Sequence, residues 1–131
     1  MSLTIERIDH VVLNCRDLQT TVEWYERVLG MRRETFGDNR LALKFGNQKI
    51  NVRPSCAPNW VTGAFDTPGS LDVCFIAAAS PDDIDAHLRA CGVKIINGPV
   101  TKIGALGLMT SHYCRDPDGN LIEIASYSRP D

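Results

Sequence analysis

Four polar side chains lie in segments of this chain that otherwise have the composition of buried strands. They are His10 in DHVVLN, Asn51 in KINVR, Asp72 in LDVCF and Glu123 in LIEIA. An imidazole and carboxylates that converge from separate strands are donors suited to Mn, Fe, Co, Ni or Zn. Without a metal, two neighbouring carboxylates repel each other and one of them takes up a proton. The residue types therefore point to metal binding or to proton transfer.

An internal repeat pairs these four positions. Subtracting 62 places Asp72 on His10 and Gly92 on Gly30, in two segments that each have the pattern of a strand followed by an amphipathic helix. After a slip of ten residues in the second segment, Glu123 falls on Asn51. A twofold relation between the two halves would bring all four side chains toward one axis.

Each half is predicted to be a βαβββ module. The first has a helix whose N-cap is Asp17 or a neighbour and which stops at Gly30, and four strands near 4–15, 31–36, 39–45 and 48–53. The second has a helix that begins at Ser80-Pro81 and stops at Gly92, and strands near 70–78, 93–96, 107–115 and 120–127. Three prolines and two glycines mark residues 54–69 as the linker between modules at about 4–53 and 70–127.

One helix in each module can cover only one face of a four-stranded sheet. The other face must pack against something or enclose a cavity. We therefore predict an α+β fold in which the two βαβββ modules form a half-open β cup, with the site inside it. The 131 residues suffice for one domain that includes both modules.

The alternation of side chains along strands predicts which residues accompany the four. Glu123 shares its face with Leu121 and Ala125, and Asn51 shares its face with Lys49 and Arg53. Lys49 and Arg53 are candidates for binding an anionic substrate group. Three further residues are candidates for lining the substrate pocket: Trp60, Phe65 and His112.

Composition excludes several classes of partner. The net charge is -2 and there is no basic run, so nothing favours nucleic acid, and no apolar stretch approaches the roughly 20 residues of a membrane span. The N-terminus lacks the pattern of a signal peptide. The five cysteines form no CxxC pair, and Cys74, Cys91 and Cys114 are predicted to be small buried hydrophobes. A cytoplasmic location fits this cysteine usage best.

Two stretches resemble the vicinal oxygen chelate superfamily, which includes glyoxalase I, bleomycin-resistance proteins and extradiol dioxygenases. They are IDHVVLNCRDLQTTVEWYERVLGM at 8–31 and HYCRDPDGNLIEI at 112–124, of which RDPDGNLIE is fairly specific. The chain most resembles single-domain, lactoylglutathione lyase-like members. The resemblance implies paired βαβββ modules, assembly as a homodimer and a small-molecule substrate. It marks the superfamily well and the individual activity poorly.

The resemblance also implies a divalent transition metal bound by His10, Asp72 and Glu123. A fourth ligand at the end of the first half would correspond to Asn51. The chain departs from the family at two positions, since Asp72 stands where His is common and Asn51 where Glu or Gln is common. The identity of the metal among Ni, Zn, Co, Mn and Fe stays open.

Three functions remain in view. The leading one is a metal-dependent, glyoxalase I-like lyase or isomerase that acts on a small substrate with vicinal oxygens, with Glu123 as the catalytic proton shuttle. The second is a metal-independent binding protein of the bleomycin-resistance type. The third is a protein related to the extradiol ring-cleavage dioxygenases, although only one histidine stands where their two-histidine triad is expected.

Overall fold

The computed structural model describes residues 2–127, and the chain divides into two compact units, Met1–Thr67 and Pro68–Asp131. Each unit contains one helix and one four-stranded mixed sheet. The predicted α+β class and the βαβββ order of both halves are confirmed. No helix within residues 2–127 is long and apolar enough to cross a membrane.

The first unit follows the predicted element order closely. Its elements are β1 (His10–Cys15), α1 (Leu18–Leu29), β2 (Arg32–Phe36), β3 (Arg40–Phe45) and β4 (Gln48–Pro54). The sheet order is β1-β4-β3-β2, with β1 parallel to β4. The Asp17 carboxylate accepts a hydrogen bond from the Thr20 amide and caps α1, and Gly30 ends it with a φ of 65°. The helix buries Val22, Tyr25 and Val28.

The second unit repeats this arrangement. Its elements are β5 (Asp72–Ile76), α2 (Pro81–Ala90), β6 (Asn97–Gly104), β7 (Gly107–Arg115) and β8 (Leu121–Tyr127), with the sheet order β5-β8-β7-β6. The Ser80 hydroxyl accepts a hydrogen bond from the Asp83 amide, as an N-cap does. Ile84 and Leu88 form the buried face of α2.

Two predicted strands differ from the structure. The first strand begins at His10 rather than near residue 4, and Ile5 and Ile8 before it are 75% and 66% exposed. The strand predicted at 93–96 lies instead at Asn97–Gly104. Gly98-Pro99 looks like a break in the sequence, but the pairing of β6 with β7 shifts register between Asn97 and Val100 and so accommodates the proline.

The strand registers of the two units match. In both sheets the first strand of the unit runs parallel to the last, at equivalent positions. The equivalent pairs are His10 with Lys49 and Val12 with Asn51 in the first unit, and Asp72 with Leu121 and Cys74 with Glu123 in the second. The sequence repeat therefore corresponds to equivalent positions on two equivalent sheets.

The segment RDPDGN, which carries much of the family resemblance, forms a hydrogen-bonded turn. The Asp116 carboxylate accepts hydrogen bonds from the amides of Asp118 and Asn120 and from the Asn120 side chain. The Asn120 side-chain oxygen in turn accepts from the Leu71 amide at 2.8 Å. Gly69 lies so close that an added Cβ would meet the Asp118 carbonyl oxygen at 2.5 Å. The motif thus fixes the β7–β8 turn to the entry of β5.

Candidate functional site

The face of the second sheet opposite α2, called here the Glu123 face, carries a cluster of polar side chains. Strand pairing places Cys74 beside Glu123 and Glu123 beside Tyr113, so all three share this face. Asp72 lies two residues before Cys74 and Ser111 lies two residues before Tyr113, so their side chains are on the same face. The alternate residues Ile122 and Ile124 are buried on the opposite face, as the parity argument predicted.

Glu123 accepts a short hydrogen bond from a buried side chain. The Ser111 hydroxyl donates to Glu123 Oε2 at 2.6 Å, and Ser111 is fully buried. The Tyr113 hydroxyl and the Cys74 thiol, whose pKa values burial raises, lie close enough for the charge of this carboxylate to raise them further. A short bond to a charged oxygen fixes the orientation of the carboxylate. The structure therefore shows an oriented Glu123, which the sequence alone does not indicate.

Two neighbours of Glu123, Tyr113 and Cys74, have pKa values above their ordinary values. Burial raises the pKa of the Tyr113 hydroxyl to about 12, with smaller contributions from the hydrogen bond to Glu123 and its charge. Burial likewise raises the pKa of the Cys74 thiol to about 11, followed by the charge of Glu123. Both groups are consequently protonated at neutral pH and act as donors.

The raised pKa of Cys74 predicts slow alkylation. Cys56 and Cys74 are both exposed, so accessibility alone would let iodoacetamide reach both. The thiolate is the reactive form, and at pH 8 a thiol with a pKa near 11 is only about one part in a thousand ionised. We expect mass spectrometry at pH 8 to find Cys56 modified well before Cys74.

The same experiment on Glu123→Gln tests the cause of the shift. Removal of the neighbouring negative charge lowers the pKa of the Cys74 thiol, so its alkylation should accelerate about fivefold. Asp82→Asn, an exposed change in α2, is the matched control and should leave the rate unaltered. Equal rates for Cys74 in the wild type and Glu123→Gln would contradict the contact between the two side chains.

The equivalent face of the first sheet, opposite α1, is called here the Asn51 face. It carries His10, Lys49, Asn51 and Arg53. His10 Nδ1 donates a hydrogen bond to Asp9 Oδ2 at 2.8 Å. Asn51 is only 6% exposed, and its side-chain oxygen has no hydrogen-bond partner within residues 2–127. A buried acceptor without a donor is costly, so this oxygen has unused binding capacity.

Arg53 is engaged within its own unit. Its guanidinium donates to Asn14 Oδ1 at 2.8 Å, to Asp66 Oδ2 at 3.1 Å and to the carbonyl oxygens of Ala57 and Trp60 at 3.2 Å each. Its side chain is 6% exposed. The backbone amide of Cys56 and, next, Arg53 lower the pKa of the Asp66 carboxyl. Arg53 therefore ties the segment after β4 to the sheet, and its guanidinium is less available than the Lys49 ammonium on the same face.

His112, which the sequence analysis proposed for substrate binding, lies on the opposite face of the second sheet from Glu123. It is fully buried, and its Nε2 donates to Asp85 Oδ2 of α2 at 3.1 Å. Arg89 first, and His112 with it, lower the pKa of the Asp85 carboxyl. Because His112 alternates with Ser111 and Tyr113 along β7, its role is to hold α2 on the sheet.

Trp60 and Phe65 have different surroundings. Trp60 lines a cavity of about 320 Å³ in the first unit, and the Arg40 guanidinium lies 4.3 Å from the centroid of its ring. Phe65 is 87% exposed. A cavity of about 520 Å³ in the second unit lies at the start of α2, beside Ser80 and Tyr127, and neither Asp72 nor Glu123 lines it. Neither of these two cavities therefore coincides with the polar cluster of the Glu123 face.

Three neighbours of Glu123 were missed as functional candidates. Cys74 was predicted to be buried but is exposed on the Glu123 face. Ser111 and Tyr113 alternate with His112, so the parity argument that placed Glu123 could have placed them once the pairing of β7 with β8 was known.

The predicted metal donors fit a divalent ion in their chemistry. His10 Nδ1 is held by Asp9, a carboxylate–histidine pairing that leaves Nε2 for a metal. The Asn51 oxygen is a buried acceptor without a donor. The first unit supplies His10 and Asn51, and the second supplies Asp72 and Glu123. Among residues 2–127, no three or more His, Cys, Asp or Glu side chains form a group that could hold a metal ion.

Comparison with known proteins identifies the family. The sequence profile of the glyoxalase/bleomycin resistance protein/dioxygenase superfamily matches residues 7–124. The chain belongs to this superfamily. A virulence protein of Salmonella typhimurium is 45% identical over 127 residues, which are 97% of this chain and 88% of that protein. A glyoxalase domain-containing protein of Mycosarcoma maydis is 42% identical over 125 residues, which are 95% of this chain and 70% of that protein.

Solved structures that are similar to this chain agree with the fold. An integron cassette protein from Vibrio cholerae is 44% identical and superposes with a TM-score of 0.95 over 98% of this chain and 100% of its own. A lactoylglutathione lyase from Agrobacterium tumefaciens is 21% identical, with a TM-score of 0.73 over 94% of this chain and 95% of its own. An antibiotic-binding protein from Streptomyces is 19% identical, with a TM-score of 0.74 over 97% of this chain and 100% of its own. The last two show the fold alone.

Proposed function

We propose that this protein is a glyoxalase-type enzyme that transfers a proton on a small substrate with vicinal oxygens. The observation that supports the proposal is the environment of Glu123, whose carboxylate is bonded by the buried Ser111 hydroxyl at 2.6 Å and flanked by Tyr113 and Cys74. A carboxylate held by fixed donors beside a polar surface is a suitable general base.

The residues of the Glu123 face divide the chemistry among them. Glu123 accepts the proton from the carbon next to a substrate carbonyl and returns it to the neighbouring carbon. The Tyr113 hydroxyl is protonated at neutral pH because its pKa is about 12, and it donates its one proton to the oxyanion that develops rather than to Glu123. Ser111 holds Oε2 and so fixes the direction in which the carboxylate faces the substrate.

A divalent transition metal is part of this proposal, since members of the superfamily often use one. His10, Asp72 and Glu123 would hold it, with Asn51 as the fourth donor. When bound, an ion such as Ni, Zn, Co, Mn or Fe acts as a Lewis acid on the substrate oxygens. We also propose a homodimer, because superfamily proteins often dimerise, and a cytoplasmic location, which suits five cysteines that form no disulfide with one another.

The test is turnover of the hemithioacetal of methylglyoxal and glutathione after metal exchange. The protein is stripped with EDTA, reloaded separately with Ni, Zn, Co, Mn or Fe(II), and assayed for thioester formation, while elemental analysis measures the bound metal. We expect about one ion per chain and activity that returns with it. His10→Ala should lose both, whereas His87→Ala on the second helix is the matched control and should keep both.

Other outcomes would favour the alternatives. A protein that takes up no metal and converts no hemithioacetal, yet binds an apolar antibiotic equally well with and without EDTA, would be a binding protein. Consumption of oxygen with catechol and Fe(II) would indicate ring cleavage. Either outcome would contradict the proposed proton transfer.

A further inference from the structure

We propose that the Asn51 face binds a small hydroxy acid through Lys49 and Asn51, so that the substrate carries a carboxylate close to a hydroxyl. This inference rests on the proposed function only in taking the bound acid to be the substrate. The binding site itself is argued from the first unit alone, and it can be tested without any turnover.

A row of basic side chains crosses the first sheet. Strand pairing joins neighbouring residues of all four strands on the same face. The row consists of His10 on β1, Lys49 on β4, Lys44 on β3 and Arg32 on β2. Side chains paired across strands lie about 5 Å apart at Cβ, so four cationic or potentially cationic groups create a local positive potential. This face therefore favours an anionic ligand, although the chain as a whole has a net charge of -2.

Lys49 is the member of this row best placed to bind the anion. Its Nζ lies 3.8 Å from the centroid of the Phe36 ring, which belongs to β2, two strands away from β4. A cation–π contact positions an ammonium without neutralising its charge. Among residues 2–127, no carboxylate lies within ion-pair distance of Lys49, while Lys44 is 3.9 Å from Glu34.

The remaining charges near Lys49 are engaged elsewhere. Asp9 is close enough for the charge of Lys49 to contribute to its lowered pKa, but the first cause of that shift is the hydrogen bond from His10. Arg53, on the same face, is 6% exposed at its side chain and bonded to Asp66. An incoming carboxylate therefore meets in Lys49 an ammonium that the Phe36 ring positions and that no carboxylate of residues 2–127 neutralises.

Asn51 supplies the second half of the site. Its side-chain oxygen is buried and accepts no hydrogen bond from residues 2–127, so a ligand that donates a hydrogen bond would satisfy it. Lys49 and Asn51 alternate on β4, which places their Cα atoms roughly 7 Å apart on one face. An acid with a hydroxyl on the neighbouring carbon presents an anion and a donor at short separation, and thus matches both groups.

The test compares three probes of similar size by isothermal titration calorimetry, all in EDTA so that no metal at Asn51 contributes. Glycolate has the carboxylate and the hydroxyl, acetate lacks the hydroxyl, and glycolamide lacks the charge. We expect glycolate to bind with a Kd on the order of 1 mM, as suits so few atoms, and the other two to bind at least about tenfold more weakly. Absence of glycolate binding to the wild type would overturn the proposal.

Variants assign the two contacts. Lys49→Gln should weaken the binding of glycolate at least about tenfold, and Lys49→Arg should weaken it less. Lys94→Gln, an exposed change in the second unit, should leave the affinity for glycolate unchanged. Asn51→Leu should abolish the preference of glycolate over acetate. It should also raise the thermal midpoint, because an unsatisfied buried acceptor is removed. Unchanged glycolate binding in Lys49→Gln, or an unchanged preference in Asn51→Leu, would overturn the assignment.

Glu123→Gln separates this proposal from the proposed function. It should leave glycolate binding intact, because Glu123 belongs to the second unit and contributes nothing to the contacts argued here. If glycolate binds as described and no turnover of any substrate is found, the acid-binding site stands and the proton transfer fails. If turnover is found and glycolate binding does not depend on Lys49, the reverse holds.

Discussion

Glu123→Gln is expected to reduce turnover of the hemithioacetal about a thousandfold while changing KM little. The amide keeps the shape of the carboxylate and can still interact with Ser111, but it cannot accept a proton. Loss of a positioned general base typically costs between about a hundredfold and ten-thousandfold. A fall in kcat with KM preserved is the signature of an interaction made in the transition state only. Steady-state kinetics with the metal-loaded protein measure this split.

The control for Glu123→Gln is Asp83→Asn, which removes an exposed carboxylate from the first turn of α2. It should retain the wild-type kcat. Both variants should show the same near-ultraviolet circular dichroism as the wild type, which verifies that the fold is kept. A Glu123→Gln protein that keeps more than a tenth of the activity would show that Glu123 is not the proton carrier.

Arg53→Met is expected to lower the free energy of unfolding by about 2 kcal/mol. The substitution removes the donors to Asn14, Ala57, Trp60 and Asp66, and thus detaches the segment after β4 from the sheet. Breaking a buried ion pair costs about 3–5 kcal/mol, and the lower figure here allows for an Asp66 side chain that is 35% exposed. Urea unfolding at pH 7 measures the change.

The loss of stability in Arg53→Met should depend on pH because Arg53 pairs with the Asp66 carboxylate. The pKa of this carboxyl is lowered in the folded protein from its ordinary 3.8, so its contribution is fully present above pH 3.8 and is lost as the pH falls through the folded value. The difference between Arg53→Met and the wild type should therefore shrink below about pH 4. Arg40→Met is the matched control, since within residues 2–127 Arg40 donates to the Asn59 carbonyl alone and stacks on Trp60. A loss below about 0.5 kcal/mol in Arg53→Met, or a loss as large in Arg40→Met, would contradict the account.

Much of the fold could be predicted because periodicity and capping are local. The helices begin at Asp17 and Ser80 as expected, and strand alternation placed Glu123 and Asn51 on the faces opposite Ile122 and Ile50. The edge strand β6 was predicted near 93–96, ahead of its observed position, because its proline looks like a break in the sequence. Its pairing with β7, which accommodates the proline, is a non-local feature that no residue in 97–104 reveals.

The candidate site was harder to predict than the fold. Lys49 and Arg53 lie on the same face of β4 and look equivalent in sequence. The Arg53 guanidinium is hydrogen-bonded to Asn14 on β1 and to residues 4 to 13 positions further along the chain. The Lys49 ammonium instead contacts the ring of Phe36. His112 has the residue type of a catalytic group, but the helix above it supplies Asp85 as its partner. Such partners depend on tertiary packing, which a pattern of residue types does not encode.

The most direct test of the central claim is the fate of the proton that Glu123 is proposed to carry. The hemithioacetal is turned over in D₂O, and the product is analysed by proton NMR for deuterium on the carbon that receives the proton. A carboxylate that exchanges its proton with solvent should incorporate deuterium in the wild-type product, while Glu123→Gln should form labelled product about a thousandfold more slowly. Equal product and equal label with the two proteins would contradict the role assigned to Glu123.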